Sequence, residues 1–306
     1  MKIAFLNLCH CEPEIVARVA NKLTRNPEFD MYIHVDAKQE EMPFSKRLEE
    51  NGQVHFIKNR QKVYWGGFNA IRATIALLEA ALESNQHYER FVLLQNLDYP
   101  VRSNEFIEEF FVKNKEIEYI RGCKIAHTKD WHYAKKYKIY NHRDSNFYLK
   151  RHRKVVKKIH DGWNAIRSIP TIGFSGTIKE QDGKYDIYYG AAQWAVTRAC
   201  AEYFVYFFKT HPRYNKRMQH IQFPDEEYFH TIVHNSGFKY RCRVFDEPEQ
   251  RWLVNWRNLH YFEFPKEITV LTEKDFDKIM SQEVLFCRKV KSKESKQLMD
   301  QIDRVT

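Results

Sequence analysis

Lys2-Ile-Ala-Phe-Leu-Asn-Leu8 is the stretch that decides the fold, because a short apolar run rich in branched residues predicts a buried β-strand. Apolar residues then recur at helical spacing over residues 15–23, and residues 31–35 predict a second strand. This alternation predicts an α/β fold with a mainly parallel central sheet flanked by helices, whose ligand lies beyond the carboxyl ends of the strands. Further strands are predicted at residues 54–57, 91–94 and 117–120, and further helices at 68–82, at 197–209 and from about 224.

The composition is that of a folded globular protein. Of the 306 residues, 43% are hydrophobic, 15% aromatic and 29% charged, which excludes a disordered, collagen-like or coiled-coil chain. Residues 71–82 are the longest apolar stretch, but Arg72 and Glu79 interrupt them, so no membrane span is predicted. We predict one domain over residues 1–290, with a basic, partly irregular insertion at 121–185, and a charged C-terminal tail at 291–306 that frays.

Positive charge is concentrated in residues 121–158. This segment holds thirteen Lys or Arg against Asp130 and Asp144, and so accounts for the whole net charge of +10. Such a segment favours an anionic partner: a nucleic acid, an acidic membrane surface or a phosphorylated substrate. A solvated basic surface is the alternative interpretation.

The sequence lacks the usual cofactor motifs. Neither G-x-G-x-x-G nor G-x-x-x-x-G-K-[ST] occurs, which argues against a Rossmann dehydrogenase and a P-loop NTPase. Asp275-Phe-Asp277 is the one Asp-x-Asp, and it falls in an apparent C-terminal helix, so we do not interpret it as a metal site. The six cysteines are scattered, which suits a reducing compartment, and Cys9-His10-Cys11 lacks the second cysteine pair of a zinc site. We therefore expect no metal, and Lys or Arg side chains to neutralise a bound phosphate.

Pro224-Asp-Glu-Glu227 is the sharpest cluster of acidic residues. Acidic side chains complement the positive end of a helix, so the cluster has an ordinary structural interpretation. A catalytic carboxylate is the alternative. Trp65-Gly-Gly67, Asp98-Tyr-Pro100 and Arg288-Lys289 are open to the same choice between a structural and a functional role.

Taken together and in order, seven short motifs resemble the core-2/I-branching β-1,6-N-acetylglucosaminyltransferase family, glycosyltransferase family 14. The resemblance runs from about residue 2 to 290 and is weakest in the basic segment. The motifs are Ile33-His-Val-Asp36, Val63-Tyr-Trp-Gly-Gly67, Leu93-Leu-Gln-Asn-Leu-Asp-Tyr-Pro100, Gly190-Ala-Ala-Gln-Trp194, Pro224-Asp-Glu226 with Thr231, Asn255-Trp256, and Leu285-Phe-Cys-Arg-Lys289.

The resemblance implies a GT-A-like fold and an inverting transferase that works without a divalent metal. Such an enzyme moves a sugar from a UDP-sugar to a hydroxyl of a glycan or lipid-linked glycan acceptor. UDP-N-acetylglucosamine is the favoured donor, and UDP-xylose or UDP-glucuronic acid are the alternatives within the family. No cofactor and no nucleic-acid partner are expected.

The resemblance also assigns roles to individual residues. Glu226 becomes the general base, because an acceptor hydroxyl must lose its proton as it attacks. Lys289 and Lys266 become the basic pair on the diphosphate. The remaining assignments are Arg288 and Arg251 as reserve diphosphate ligands, Leu8, Asp36 and Trp65 around the uridine, and Trp256 and Arg121 on the acceptor side, where Arg121 replaces an acidic residue of the family.

The chain differs from animal members of the family in that we expect no N-terminal membrane anchor and find no dense cysteine set. It therefore resembles a bacterial, cytoplasmic member, whose basic segment we expect to touch the anionic inner face of a membrane. Two other functions stay open from the sequence. One is a non-catalytic nucleic-acid-binding protein, suggested by the aromatic residues within the basic segment, and the other is an inactive sugar-binding relative.

Overall fold

A five-stranded, mainly parallel sheet forms the centre of the protein. The computed structural model describes residues 1–145, 154–171, 173–242, 258–264 and 267–306. The strand order of this sheet is β10-β4-β1-β2-β3, in which only β10 is antiparallel to its neighbour. The predicted α/β fold is confirmed. The strands are β1 (Ile3–Cys9), β2 (Phe29–Val35), β3 (Val54–Phe56), β4 (Arg90–Gln95), β5 (Asp98–Pro100), β6 (Cys123–Lys124), β7 (Thr177–Lys179), β8 (Lys184–Asp186), β9 (Tyr188–Tyr189), β10 (Ala195–Thr197), β11 (His260–Tyr261) and β12 (Phe286–Arg288).

Helices cover both faces of this sheet, which is why its central strands are continuous apolar runs. Side chains alternate along β1, so Ala4 and Leu6 join one hydrophobic core while Ile3 and Phe5 join another on the opposite face. The helices are α1 (Pro13–Leu23), α2 (Met42–Ser45), α3 (Asn69–Leu82), α4 (Asn104–Lys113), α5 (Trp131–Lys138), α6 (Lys154–Ser168), α7 (Arg198–Thr210), α8 (Pro212–Met218), α9 (Tyr228–His234), α10 (Phe276–Met280) and α11 (Lys296–Val305).

A second, three-stranded sheet with the order β11-β12-β5 lies beside the carboxyl end of β4. Strand β5 begins at Asp98, three residues after β4 ends, and pairs with β12 so that Asp98 lies opposite Arg288. The topology therefore brings the C-terminal basic motif to the edge of the central sheet where a ligand is expected.

The predicted C-terminal tail is a helix, and the expectation that it frays is wrong. Helix α11 buries Leu298, Met299 and Ile302 in the core. The carboxylate of Asp303 accepts hydrogen bonds at 2.7 Å from Arg18 and Lys22. The high charge of this segment lies on the other face of an amphipathic helix, which the composition alone does not reveal.

Two further expectations differ from the structure. Residues 117–120 form only isolated β-bridges, Glu118 with Cys242 and Tyr119 with Ala195, rather than a strand. The basic insertion is more regular than expected, since α5, α6, β6 and β7 lie within it and β8 begins there. Across the described residues, no helix has both the length and the apolar character that crossing a bilayer requires.

Candidate active site

The carboxyl ends of β1 and β4 meet in a braced turn. The side-chain oxygen of Asn96 accepts hydrogen bonds from the backbone N–H groups of His10 and Cys11, at 2.6 and 2.7 Å. Its amide nitrogen donates to the Cys11 carbonyl at 2.6 Å. Leu8, a predicted uridine contact, is half-buried at this edge, and its carbonyl accepts from the Asn96 backbone N–H at 2.9 Å. The turn is thereby held rigid where the topology expects a ligand.

Asp36 follows β2 at the same edge and is buried. One carboxylate oxygen accepts from the Lys38 ammonium at 2.7 Å, and the other accepts from the backbone N–H groups of Lys38 and Val63, at 2.9 and 3.3 Å. Asp36 therefore ties the end of β2 to the segment that leads into Trp65, the third predicted uridine contact. Backbone and ammonium donors together hold this carboxylate fixed in position.

Trp65 joins the predicted uridine pocket to the acidic motif. Its side chain is 73% exposed, and its ring meets that of Phe223 edge-on at 4.6 Å between centroids. The Arg143 guanidinium lies over both rings, 5.2 Å from Trp65 and 4.6 Å from Phe223. Gly66 has φ +69°, and a Cβ there would come within 2.5 Å of Arg143, so this close packing requires glycine. Trp65 thus lies beside the residue that precedes Pro224.

Glu226 ends a short 3₁₀ turn, Pro224–Glu226, just before α9. One oxygen of its carboxylate accepts a hydrogen bond from the Lys136 ammonium at 2.9 Å, and the same ammonium lies 3.5 Å from the Glu227 carboxylate. The Glu226 side chain is 20% exposed, whereas that of Glu227 is fully buried. Of these two glutamates, only Glu226 can reach a bound substrate.

The acidic cluster carries more carboxyl groups than one ammonium can neutralise. Burial raises the pKa of Asp225 to about 6, and the neighbouring Glu226 charge adds to this effect. Burial also raises the pKa of Glu227 well above its usual range. For Lys136, burial favours the neutral amine, but the charges of Glu226 and Glu227 outweigh it and raise the pKa of the ammonium. Lys136 therefore stays charged beside Glu226, while burial makes Asp225 and Glu227 favour the protonated form.

Arg288 is anchored by a buried carboxylate. Its guanidinium donates to Asp98 at 2.7 Å, and the other oxygen of Asp98 lies 3.2 Å from the His260 imidazole. Burial opposes ionisation of Asp98, but the charges of Arg288 and His260 prevail and hold the pKa of this carboxyl below its usual value. The Arg288 side chain is 17% exposed, so part of it remains accessible to a ligand. Its charge also acts on Asp225, against the effect of burial there.

Lys289 follows in sequence and lies half-buried beside the braced turn. Burial raises the pKa of the Cys11 thiol, and the charges of Lys289 and Arg288 partly counter that rise. Burial likewise lowers the pKa of His10, where Asp36 and Arg288 act in opposite directions. Arg288, Lys289, Asp36 and the β1–α1 turn therefore share one electrostatic environment at the edge of the sheet.

The remaining predicted residues divide into two groups. Arg251, Trp256 and Lys266 lie outside the described residues. Arg121 is half-buried, and its backbone N–H donates to the side chain of Asn258 at 2.8 Å. Its carbonyl packs against Gly190, whose N–H donates to the Glu226 carbonyl at 2.8 Å. Gly190 therefore contacts both Arg121, the acceptor-side candidate, and Glu226, the predicted base.

Sequence reasoning missed three residues of this site, Lys136, Arg143 and Phe223. The two cations belong to the basic segment, which the sequence singled out only as a whole. Lys136 is buried and Arg143 lies over aromatic rings, and neither property follows from local periodicity. The left-handed backbone of Phe223, φ 59°, which turns the chain into Pro224, has no sequence signal either.

Asp275 of the Asp-x-Asp sequence helps to cap the N-terminus of a short 3₁₀ turn, Glu273–Asp275. The Asp275 carboxylate accepts from the Thr272 backbone N–H at 2.8 Å, which is a capping interaction. Over the part of the chain that the structure describes, no three His, Cys, Asp or Glu side chains are grouped so that they could hold a metal ion. Metal independence of the reaction stays a prediction.

Comparison with known proteins identifies the family. The family described as Core-2/I-Branching enzyme matches residues 3–280. The chain is similar to Xylosyltransferase oxt of Drosophila melanogaster, with 27% identity over 99 residues, 31% of this chain and 11% of that protein. It is also similar to Xylosyltransferase 2 of Rattus norvegicus, with 23% identity over 248 residues, 77% of this chain and 25% of that protein. The chain thus spans a quarter or less of these relatives. Since the family match covers most of its length, the chain belongs to the Core-2/I-branching enzyme family.

Proposed function

We propose that this chain is an inverting glycosyltransferase that moves a sugar from a UDP-sugar to a hydroxyl group of a glycan acceptor. Family membership and the xylosyltransferase relatives support a nucleotide-sugar donor. The observation that carries the proposal is the partly exposed Glu226 carboxylate, which the Lys136 ammonium holds at 2.9 Å. The Arg288 guanidinium, held at 2.7 Å by Asp98, is the candidate cation. One face of such a site supplies a base and the other supplies cations, which is what a displacement of diphosphate requires.

Glu226 is the proposed general base. The acceptor hydroxyl attacks the anomeric carbon of the donor sugar, the bond to UDP breaks, and the proton passes to Glu226. A positioned base of this kind contributes about 10² to 10⁴ in rate. The Lys136 ammonium, 2.9 Å away, fixes the carboxylate and stabilises its charge before the proton arrives.

Arg288 and Lys289 are the proposed cations for the departing diphosphate. Negative charge grows on the leaving UDP as the glycosidic bond breaks, and cations fixed beforehand stabilise that charge in the transition state. Asp98 fixes the Arg288 guanidinium through a buried ion pair, so the site does not have to reorganise during the reaction. Lys266 and Arg251 remain proposed partners in this role, and we propose that no divalent metal takes part.

The donor and acceptor follow the family resemblance. UDP-N-acetylglucosamine remains the first candidate, with UDP-xylose and UDP-glucuronic acid as alternatives. Leu8, Asp36 and Trp65 are proposed to hold the uridine, and Trp256 and Arg121 the acceptor, for which we propose a surface polysaccharide or a lipid-linked glycan. The proposal places the reaction in the cytoplasm, at the inner face of a membrane.

Calorimetric titration with UDP and the three UDP-sugars, in buffer containing EDTA, tests this function. We expect UDP to bind and one sugar nucleotide to bind more tightly than the others. A matched titration with ADP is the control for base recognition. Binding that appears only when magnesium or manganese replaces EDTA would overturn metal independence, and absence of nucleotide binding under both conditions would overturn the transferase assignment.

A further inference from the structure

Helix α6 (Lys154–Ser168) directs an apolar face to solvent. Val155, Ile159, Trp163 and Ile166 are 69%, 48%, 59% and 66% exposed, and Ile169 in the 3₁₀ turn that follows is 65% exposed. The spacing of the first four puts them on one side of the helix. A surface helix normally turns such an apolar stripe toward the core of its own protein, so this orientation is the reverse of the usual one.

The polar side of α6 makes the contacts with the rest of the protein. His160 is the one buried side chain of this helix, and its imidazole lies 3.1 Å from the His142 carbonyl. The Ser168 hydroxyl accepts from the Tyr140 backbone N–H at 2.8 Å, and Asn164 lies 3.2 Å from His160. Because these polar residues recur every four positions, the helix is held by its polar stripe. Within the described part of the chain, the apolar face stays exposed.

Positive charge borders this apolar face. Lys154 and Lys158 are exposed in the first turns, and Arg167 lies near the other end with its guanidinium 5.6 Å from the Trp163 ring. Asp161 is the one acidic residue of the helix. Helices that lie in the interface of a membrane with anionic lipids typically have this composition, in which lysine and arginine surround a face of branched aliphatic residues and tryptophan.

We propose that α6 is an interfacial membrane helix, which inserts Ile159, Trp163 and Ile166 among the headgroups of a bilayer that carries anionic phospholipid. The bordering lysines supply the attraction to negative charge, and the apolar side chains supply the burial. This assignment rests on the exposed face and its charge, and does not depend on the proposed transferase activity.

The polar contacts of α6 also connect it to the active site. They reach Tyr140 and His142, and the next residue, Arg143, lies over Trp65 and Phe223 beside the acidic motif. Docking of α6 would therefore bring the site close to the bilayer surface. If the proposed function holds, this position suits an acceptor linked to lipid.

Vesicle flotation of the full chain tests the proposal. We expect the protein to float with vesicles of phosphatidylcholine that contain phosphatidylserine, and not with phosphatidylcholine alone. The triple variant I159S/W163S/I166S should bind the anionic vesicles at least about tenfold more weakly, because three buried apolar side chains are lost. The matched control is F106S/V112S, which removes two exposed apolar side chains of α4 and should bind as the wild type does.

Three outcomes would overturn the membrane assignment. The first is equal flotation with neutral and anionic vesicles, and the second is undiminished binding by the triple variant. The third is sedimentation of the wild-type chain as a dimer that the triple variant abolishes, with no vesicle binding, since a second copy would then cover the face. An unchanged thermal melt of the triple variant shows that its weaker vesicle binding is not caused by misfolding. An unchanged UDP titration shows that the loss is separate from the proposed transferase function.

Discussion

At the scale of single residues, the site depends on one cation held among carboxyl groups. Lys136 is paired with Glu226 and lies beside the buried Glu227, and its ammonium also lies 4.2 Å from the centre of the Tyr189 ring. A buried charge is tolerated only when it is paired, and removal of one partner leaves the other uncompensated. Lys136 is therefore expected to affect both the folding and the chemistry of this cluster.

Glu226→Gln should abolish the proposed base while keeping the shape of the side chain. We expect turnover, measured as UDP release in the presence of acceptor, to fall by about 10² to 10⁴, because an amide cannot take up the hydroxyl proton. Calorimetric affinity for UDP should stay within about twofold. The matched control is Glu202→Gln, an exposed glutamate of α7. Unchanged turnover in Glu226→Gln would reject this residue as the base.

Lys136→Met should destabilise the protein by roughly 3 kcal/mol at neutral pH, because it leaves the Glu226 carboxylate without its cation. The loss should be smaller at pH 5 than at pH 8, since carboxyl groups can take up protons at the lower pH. Urea unfolding at the two pH values measures both effects. The adjacent, less buried Lys135→Met is the control, and an equal loss of stability in both variants would contradict the pairing argument.

At the scale of elements, the three-stranded sheet matters because it carries a cation to the edge of the central sheet. Strands β5 and β12 pair so that Asp98 lies opposite Arg288, and the resulting ion pair is buried on the Asp98 side. Strand β11 adds His260 on the other oxygen of the same carboxylate. The pairing of these strands, rather than the sequence near Arg288, decides where its guanidinium points.

Asp98→Asn should release Arg288 from its fixed position. We expect the dissociation constant for UDP to rise by about tenfold and the free energy of unfolding to fall by roughly 3 kcal/mol, because a partly buried cation loses its counter-ion. Calorimetry and urea unfolding measure the two effects. Asp277→Asn, at an exposed position of α10, is the control. UDP affinity equal to that of the wild type would show that Arg288 does not contact the nucleotide.

His34 in β2 should make stability depend on pH. Burial lowers the pKa of His34 to about 4, and its Nε2 accepts the backbone N–H of Gln61 at 2.7 Å. Below pH 6.5 the unfolded chain binds a proton at this residue that the folded chain does not, so stability is lost as pH falls from 6.5 to about 4.

Replacement of this histidine removes that linkage. In His34→Gln, the slope of unfolding free energy against pH should be shallower by up to ~1.4 kcal/mol per pH unit over this window. Urea unfolding at several pH values measures the slope, with the exposed His87→Gln as control. Identical slopes for the wild type and His34→Gln would contradict the prediction.

At the scale of the whole molecule, the basic segment is divided between two tasks. Lys136 and Arg143 turn inward to the acidic motif and the aromatic rings, whereas the lysines of α6 lie on the surface. A nucleic-acid-binding protein needs such cations on one exposed face. The inward placement of two of them favours a site within the protein over a continuous basic surface.

The two ends of the chain also meet, through α1 and α11. Ile302→Ala should cost about 2 to 4 kcal/mol of stability, because Ile302 is fully buried and its loss leaves a cavity. Val305→Ala, in the same helix but 60% exposed, should cost less than about 0.5 kcal/mol. Urea unfolding measures the difference. Equal, small losses would mean that the C-terminal segment frays after all.

The strand–helix alternation of the N-terminal half and the family resemblance can both be predicted from the amino-acid sequence alone. The first four strands lie within two residues of their predicted positions, because a strand buried on both faces must be apolar along its whole length, and that is a local property. The motif that contains Glu226 is likewise recognisable without a structure, and the sequence leaves open both a catalytic role and an ordinary role at a helix start.

Which side chains contact one another depends on the folding of distant segments together. Glu226 and Lys136 are 90 positions apart, and Asp98 and Arg288 are 190 apart, so no local pattern connects them. From the sequence alone, the C-terminal segment is a charged tail and the α6 segment is part of an irregular insertion, whereas in the structure the first buries an apolar side and the second exposes one. A sequence specifies which side of a helix is apolar, whereas packing against the rest of the chain decides what that side faces.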